Sequence, residues 1–141
     1  MTGVDDLYER IGRALLDAAP EGWAELRTDY VRAGRTAEYQ CWALLADGSA
    51  RDLGRVSPDL SKALKGLRVL LYQQGKGAWY TARIVVTPDR RLSVGLDYDN
   101  EPQWRFRVVP ETYVEDVEMF PREESALPQW LKEKLRDAGG A

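Results

Sequence analysis

The chain has 141 residues, 44% of them apolar, and a formal net charge of −3 from 20 basic and 23 acidic side chains, which suits one soluble domain whose core needs neither disulfide nor metal. It contains no histidine, which excludes His-based triads, His-ligated zinc and the commonest general base near neutral pH. A lone cysteine, Cys41 in the apolar run YQCWALL, excludes an internal disulfide and reads as a small core residue.

The first element is an amphipathic helix over Val4 to Ala19, with Val4, Leu7, Tyr8, Ile11, Ala14, Leu15 and Ala18 at helical spacing. Thr2 and Asp5 have the spacing of a capping box, and Pro20 and Gly22 stop the helix. Two strands follow, Trp23 to Val31 and Thr36 to Ala46, joined as a hairpin through Gly34. Asp47-Gly48 marks another turn, leading to a weak third strand within Ala50 to Val56.

Ser57-Pro58-Asp59 opens a second helix, because serine caps and proline suits the first helical position. Its apolar stripe is Leu60, Ala63, Leu64, Leu67, Leu70 and Leu71, with Lys62, Lys65 and Arg68 expected on the solvated side. A second hairpin is read from Trp79 to Val86 and Leu92 to Tyr98 around the turn TPDRR. In its second arm Leu92, Val94, Leu96 and Tyr98 alternate toward the core, so Ser93, Gly95, Asp97 and Asp99 share the other face. A strand is expected over Trp104 to Val109. PETYVEDVEMFP then reads as a helix rather than a strand, since Tyr113, Val114, Val117 and Phe120 fit the helical period and a strand would turn Glu115 or Asp116 inward. A short helix from Pro128 to Ala138, anchored by Trp130, Leu131 and Leu135, precedes a frayed Gly-Gly-Ala end. The expected fold is α+β: an antiparallel sheet of five or six strands carrying two amphipathic helices, with short helices after it, in one domain over residues 1–141. The expected core comprises Leu7, Ile11, Leu15, Leu64, Leu67, Leu71, Ile84, Val86, Leu92, Val94 and Leu96.

No apolar run approaches the roughly 18 residues that span a membrane. MTGVDDLYERIG also lacks the apolar stretch of a signal peptide, so a cytoplasmic protein without membrane contact is expected. Charge is segmented along the chain. Leu60 to Arg91 carries seven Lys or Arg against one acid, and Asp97 to Glu124 carries nine acids against three Arg. Asp97, Asp99 and Glu101 fall within five positions at a strand end, and Glu111, Glu115 and Glu118 share one side of the later helix. Such carboxylates can form a hydrophilic surface, hold a hard cation, or steer a basic partner. The cation reading lacks further oxygen ligands, EF-hand spacing or a phosphate loop.

In LYERIGRALLDAAPEGW, GAWYTARIVVTPDRRLSVGLDYDNEPQW and the terminal QWLKEKL, the chain resembles the YezG-like family of immunity proteins of bacterial polymorphic toxin systems. The basic stretch from Leu60 to Arg91 departs from the more evenly acidic character of that family. The resemblance implies a cytoplasmic antitoxin that binds and neutralises a cognate toxin domain, often a nuclease; the lack of histidine and the few clustered carboxylates add the expectation of no catalysis and no metal, and no cofactor or nucleic acid is expected. The toxin-binding residues expected from the acidic clusters and a neighbouring aromatic are Asp97, Asp99, Asn100, Glu101 and Trp104 together with Glu111, Glu115 and Glu118. A ligand-sensing or chaperone-like interaction domain and a carboxylate- or metal-dependent enzyme are the other readings left open.

Overall fold

The computed structural model describes residues 3–139. Among them the order is α1 (Val4–Asp17), β1 (Trp23–Ala33), β2 (Thr36–Leu45), β3 (Ala50–Asp52), α2 (Pro58–Leu70), β4 (Thr81–Val86), β5 (Leu92–Asp97), α3 (Glu111–Met119), a 3-10 turn (Glu124–Ala126) and α4 (Gln129–Ala138). The fold is α+β, with an open antiparallel sheet of five strands ordered β3-β2-β1-β4-β5. Residue contacts group into two compact units. One takes the chain through Asp29 with Tyr39–Leu70 and Ala82–Gly95; the other takes Tyr30–Glu38, Leu71–Thr81 and the chain from Leu96 onward.

In the first unit α1 and α2 pack together and bury Leu7, Ile11, Leu15, Leu60, Leu64 and Leu67. Ser57 Oγ accepts the Leu60 N–H at 3.3 Å, as its capping position requires. The expected Thr2–Asp5 box lies partly outside the described residues; Gly3 is the N-cap, and its N–H donates to the carboxylate of Asp6 at the third helical position at 3.3 Å. Arg10 reaches from α1 to Asp59 at 2.6 Å, and that hydrogen bond holds the exposed Asp59 carboxyl below its ordinary range. Cys41 is buried, with Thr28 Oγ1 donating to its sulfur at 3.3 Å, and burial pushes its thiol up. That is the chemistry of an inert core cysteine.

Arg68 is buried rather than solvated, because it stands four residues after Leu64 and one after Leu67, on the border of the apolar stripe. Leu70, by contrast, is 44% exposed at the helix end, and Leu71 follows the helix half-buried. β3 is only three residues long and fully exposed, and it pairs with β2 through Trp42 and Asp52, Ala43 and Arg51, Leu44 and Ala50.

The second unit centres on aromatic rings. Tyr80, Tyr113 and Trp130 meet pairwise edge to face with centroids 5.4 to 6.1 Å apart, over Ala33 and Leu131. Trp104, Val117, Leu127 and Leu135 complete the cluster. The region from Trp104 to Val109 is not a strand. The Arg105 N–H is taken by the Glu38 carboxylate instead of a ladder, and Arg105, Phe106, Arg107 and Val109 are all exposed, which leaves no buried face to alternate. The helical reading of the next segment is borne out by α3, although its supporting premise fails: Asp116 turns inward even so and is buried. α4 keeps Leu131 buried and Trp130 half-buried, as expected. Part of the Gly-Gly-Ala end lies outside the described residues.

Of the expected core, Leu92, Val94 and Leu96 are only half-buried, because β5 forms an edge of the sheet. The difference between buried and exposed leucines is measurable by chemical denaturation. Leu64→Ala should lower stability by about 2 to 5 kcal/mol and Leu70→Ala by less than about 0.5 kcal/mol. Equal losses would contradict the placement of α2.

Candidate functional site

All eight candidate residues belong to the second unit, and the structure sorts them into those that hold the fold together and those that face outward. β5 ends at Asp97, and the chain then bends. The Asp97 carboxylate caps that bend, accepting the N–H groups of Asp99 at 3.1 Å and Asn100 at 3.0 Å, and the Asn100 side-chain amide at 2.9 Å. This is the aspartate turn geometry in which a side chain satisfies backbone donors that leave a strand. The expectation that Asp97 and Asp99 share one strand face is therefore corrected, since Asp99 lies beyond the strand in the bend.

Asp99 is held from both sides. Its carbonyl accepts the Trp130 indole N–H at 2.7 Å, and its carboxylate, 79% exposed, lies 3.5 Å from Arg122. The Arg122 side chain is only 1% exposed. It donates to the carbonyls of Ala126 at 2.9 Å, Ala78 at 3.3 Å and Tyr98, and its guanidinium stands 5.2 Å from the centre of the Tyr80 ring. A buried guanidinium with several acceptors and an aromatic face has its desolvation offset by charge-assisted bonds. Gly77 leaves the room for it: a Cβ there would come within 2.2 Å of Arg122 Nε, and the backbone has φ +94°. The Tyr98 hydroxyl donates to the Leu71 carbonyl at 2.8 Å, so this ring is tied inward.

Trp104 is half-buried, with its indole N–H donating to the Tyr113 hydroxyl at 3.1 Å. Burial pushes the Tyr113 phenol up, so it remains neutral. Trp104 thus belongs to the aromatic cluster. The exposed aromatic nearby is Phe106, 72% exposed, with Val109 at 58% two residues before α3. In a strand over Trp104 to Val109 Phe106 would share the face of Trp104, so alternation gave no signal that it stands exposed.

On α3, Glu111 and Glu118 are exposed, but Glu115 is only partly so. Glu115 accepts the Arg35 N–H at 2.5 Å, and its neighbour Asp116 accepts the Gly34 N–H at 2.8 Å, so two adjacent carboxylates clamp the turn between β1 and β2. Gly34, with φ +58°, is packed so closely that a Cβ would meet Glu115 Oε1 at 2.6 Å. Asp116 was missed as a structural residue; its position three after Tyr113 and four before Phe120 puts it on the buried stripe. Glu111, Val114, Glu115, Glu118, Leu135 and Ala138 line an open groove of about 550 Å³ between α3 and α4.

The outward acidic set is therefore Asp99, Glu101, Glu111 and Glu118, accompanied by exposed Asn100. Among the described residues no group of three or more His, Cys, Asp or Glu side chains is arranged to hold a metal ion. No described helix is long and apolar enough to cross a membrane. The chain matches no protein-family model and no curated protein.

Gly77→Ala forces Arg122 or the loop to shift and strains a left-handed residue, so it should cost about 2 kcal/mol or more in denaturant unfolding. A loss under about 0.5 kcal/mol would show that the fit around Arg122 is loose.

Proposed function

We propose that this chain is a non-catalytic binding protein that captures a basic protein partner with its exposed acidic surface, and specifically that it is an immunity protein neutralising a cognate toxin domain in the cytoplasm. The observation that carries the reading is the division of labour among the carboxylates. Asp97, Glu115 and Asp116 satisfy backbone donors, whereas Asp99, Glu101, Glu111 and Glu118 project from the same aromatic-centred unit. A nuclease toxin presents Lys and Arg to phosphates, and carboxylates fixed on a well-braced turn and helix complement such a face. The resemblance to YezG-like immunity proteins in the LDYDNEPQW stretch supports the same assignment.

Charge speeds association but supplies little net affinity at an exposed rim. Nanomolar binding corresponds to about −12 kcal/mol, so an apolar anchor is needed as well. Phe106 and Val109 meet that need better than Trp104, since they are exposed, and fully burying a phenylalanine contributes about 1.5 to 3 kcal/mol.

Co-expression with the toxin domain encoded by the adjacent gene tests the reading. The wild-type chain should rescue growth. A folded variant with Asp99, Glu101, Glu111 and Glu118 changed to lysine should fail, and Phe106→Ala should speed dissociation from the purified toxin at least tenfold. Rescue by the fourfold variant would remove the acidic surface from the interface, and a wild-type chain that binds no adjacent product would remove the immunity assignment.

A further inference from the structure

β5 is a sheet edge of an unusual kind for a chain that stays monomeric. The opposite edge, β3, is three residues long and carries exposed Arg51 and Asp52, which discourages pairing. β5 has six residues, LSVGLD, with neither proline nor lysine, and among the described residues its one strand neighbour is β4. The Arg91 carbonyl accepts the Thr87 N–H and the Asp97 carbonyl accepts the Tyr80 N–H, so odd-numbered positions turn their backbone groups toward β4. By the alternation of an antiparallel ladder, the N–H and C=O groups of Leu92, Val94 and Leu96 face outward.

The side chains along this edge are self-complementary. About Val94 the sequence reads outward symmetrically: Ser93 and Gly95, then Leu92 and Leu96, then Arg91 and Asp97. Ser93 and Gly95 are small and exposed, while Leu92, Val94 and Leu96 are half-buried. From these observations we propose that β5 pairs antiparallel with β5 of a second copy of this chain, with Val94 on the two-fold axis, joining two five-stranded sheets into one of ten strands.

In that register Leu92 faces the partner's Leu96, Val94 faces the partner's Val94, and Arg91 faces the partner's Asp97. The two apolar faces complete the burial that the edge leaves half done. The charges are opposite in sign at both ends, and small Ser93 and Gly95 let the other face close without a clash. A two-fold pairing of this kind is isologous and closed, so it stops at a dimer instead of propagating. The Asp97 carboxylate retains its bonds to the bend and contributes its charge to Arg91 from there. Asp99 and Glu101 lie beyond the paired segment, so the dimer is independent of the toxin-binding proposal.

Sedimentation from micromolar to millimolar concentration, with hydrogen exchange on the same samples, tests the pairing. The protein should pass from monomer to dimer, and the amides of Leu92, Val94 and Leu96 should gain protection with concentration while those of Ser93 and Gly95 keep what they have. Ser93→Lys brings two like charges close to the axis from an exposed position and should weaken dimerisation at least tenfold without altering the melting temperature of the dilute monomer. Arg91→Gln should weaken it and make it less sensitive to salt. A monomer at every concentration would overturn the proposal. So would a dimer that ignores Ser93→Lys, or one in which the even-numbered β5 amides stay exchangeable.

Discussion

The second unit depends on one buried cation. Arg122 bonds three carbonyls from separate parts of the chain, those of Ala78, Tyr98 and Ala126, and lies against the Tyr80 ring. Taking a guanidinium out of water costs several kcal/mol, and the cost is offset only while these partners remain in place. The loop before β4 is shaped to admit it, with Gln73 and Gly77 exchanging backbone bonds at 3.1 and 3.0 Å and Gly77 passing close to the side chain. The Glu123 N–H donates to the Gly75 carbonyl at 2.6 Å and fixes the backbone beside it. A planar fork of donors fits this arrangement; a lysine ammonium supplies a point charge with no matching geometry.

The acidic surface inherits its form from that core. Asp99 is anchored through its carbonyl to Trp130, whose ring meets Tyr80 and Tyr113, and through its carboxylate to Arg122. Tyr113 lies on α3, the helix that carries Glu111 and Glu118. The bend after β5 and the acidic helix therefore share one aromatic cluster. In the binding role proposed above, a surface assembled this way would lose little conformational freedom on meeting its partner, and such preorganisation would add affinity beyond what the charges contribute.

The fold was legible where periodicity and punctuation agree. Leu7, Ile11 and Leu15 predicted α1, and Ser57-Pro58 marked the start of α2 within a residue. The segment PETYVEDVEM gave α3 by its helical period. What escaped were side chains whose type and position pull in opposite directions. Arg68, Arg122 and Asp116 are charged residues at inward positions; Arg122 meets the Ala78 and Tyr98 carbonyls and Asp116 the Gly34 N–H, backbone groups distant in sequence and invisible to a local reading. The acidic cluster was visible as composition, but its sorting was not. Whether a carboxylate caps a turn, like Asp97, or stands free of the fold's needs, like Glu118, follows from a backbone path that composition does not encode. Trp104 and Phe106 show the same limit: strand alternation puts both on one face, and only the loop path ties Trp104 to the aromatic cluster and leaves Phe106 exposed.

Hydrogen exchange on Arg122→Lys, compared with the wild type, tests the governing role of this cation most directly. The amides of Asp99 and Asn100 and the indole N–H of Trp130 should lose protection together by tenfold or more, a loss of about 1.4 kcal/mol in local opening, while the amides within α2 keep theirs. Unchanged protection at Asp99, Asn100 and Trp130 in a folded variant would contradict it.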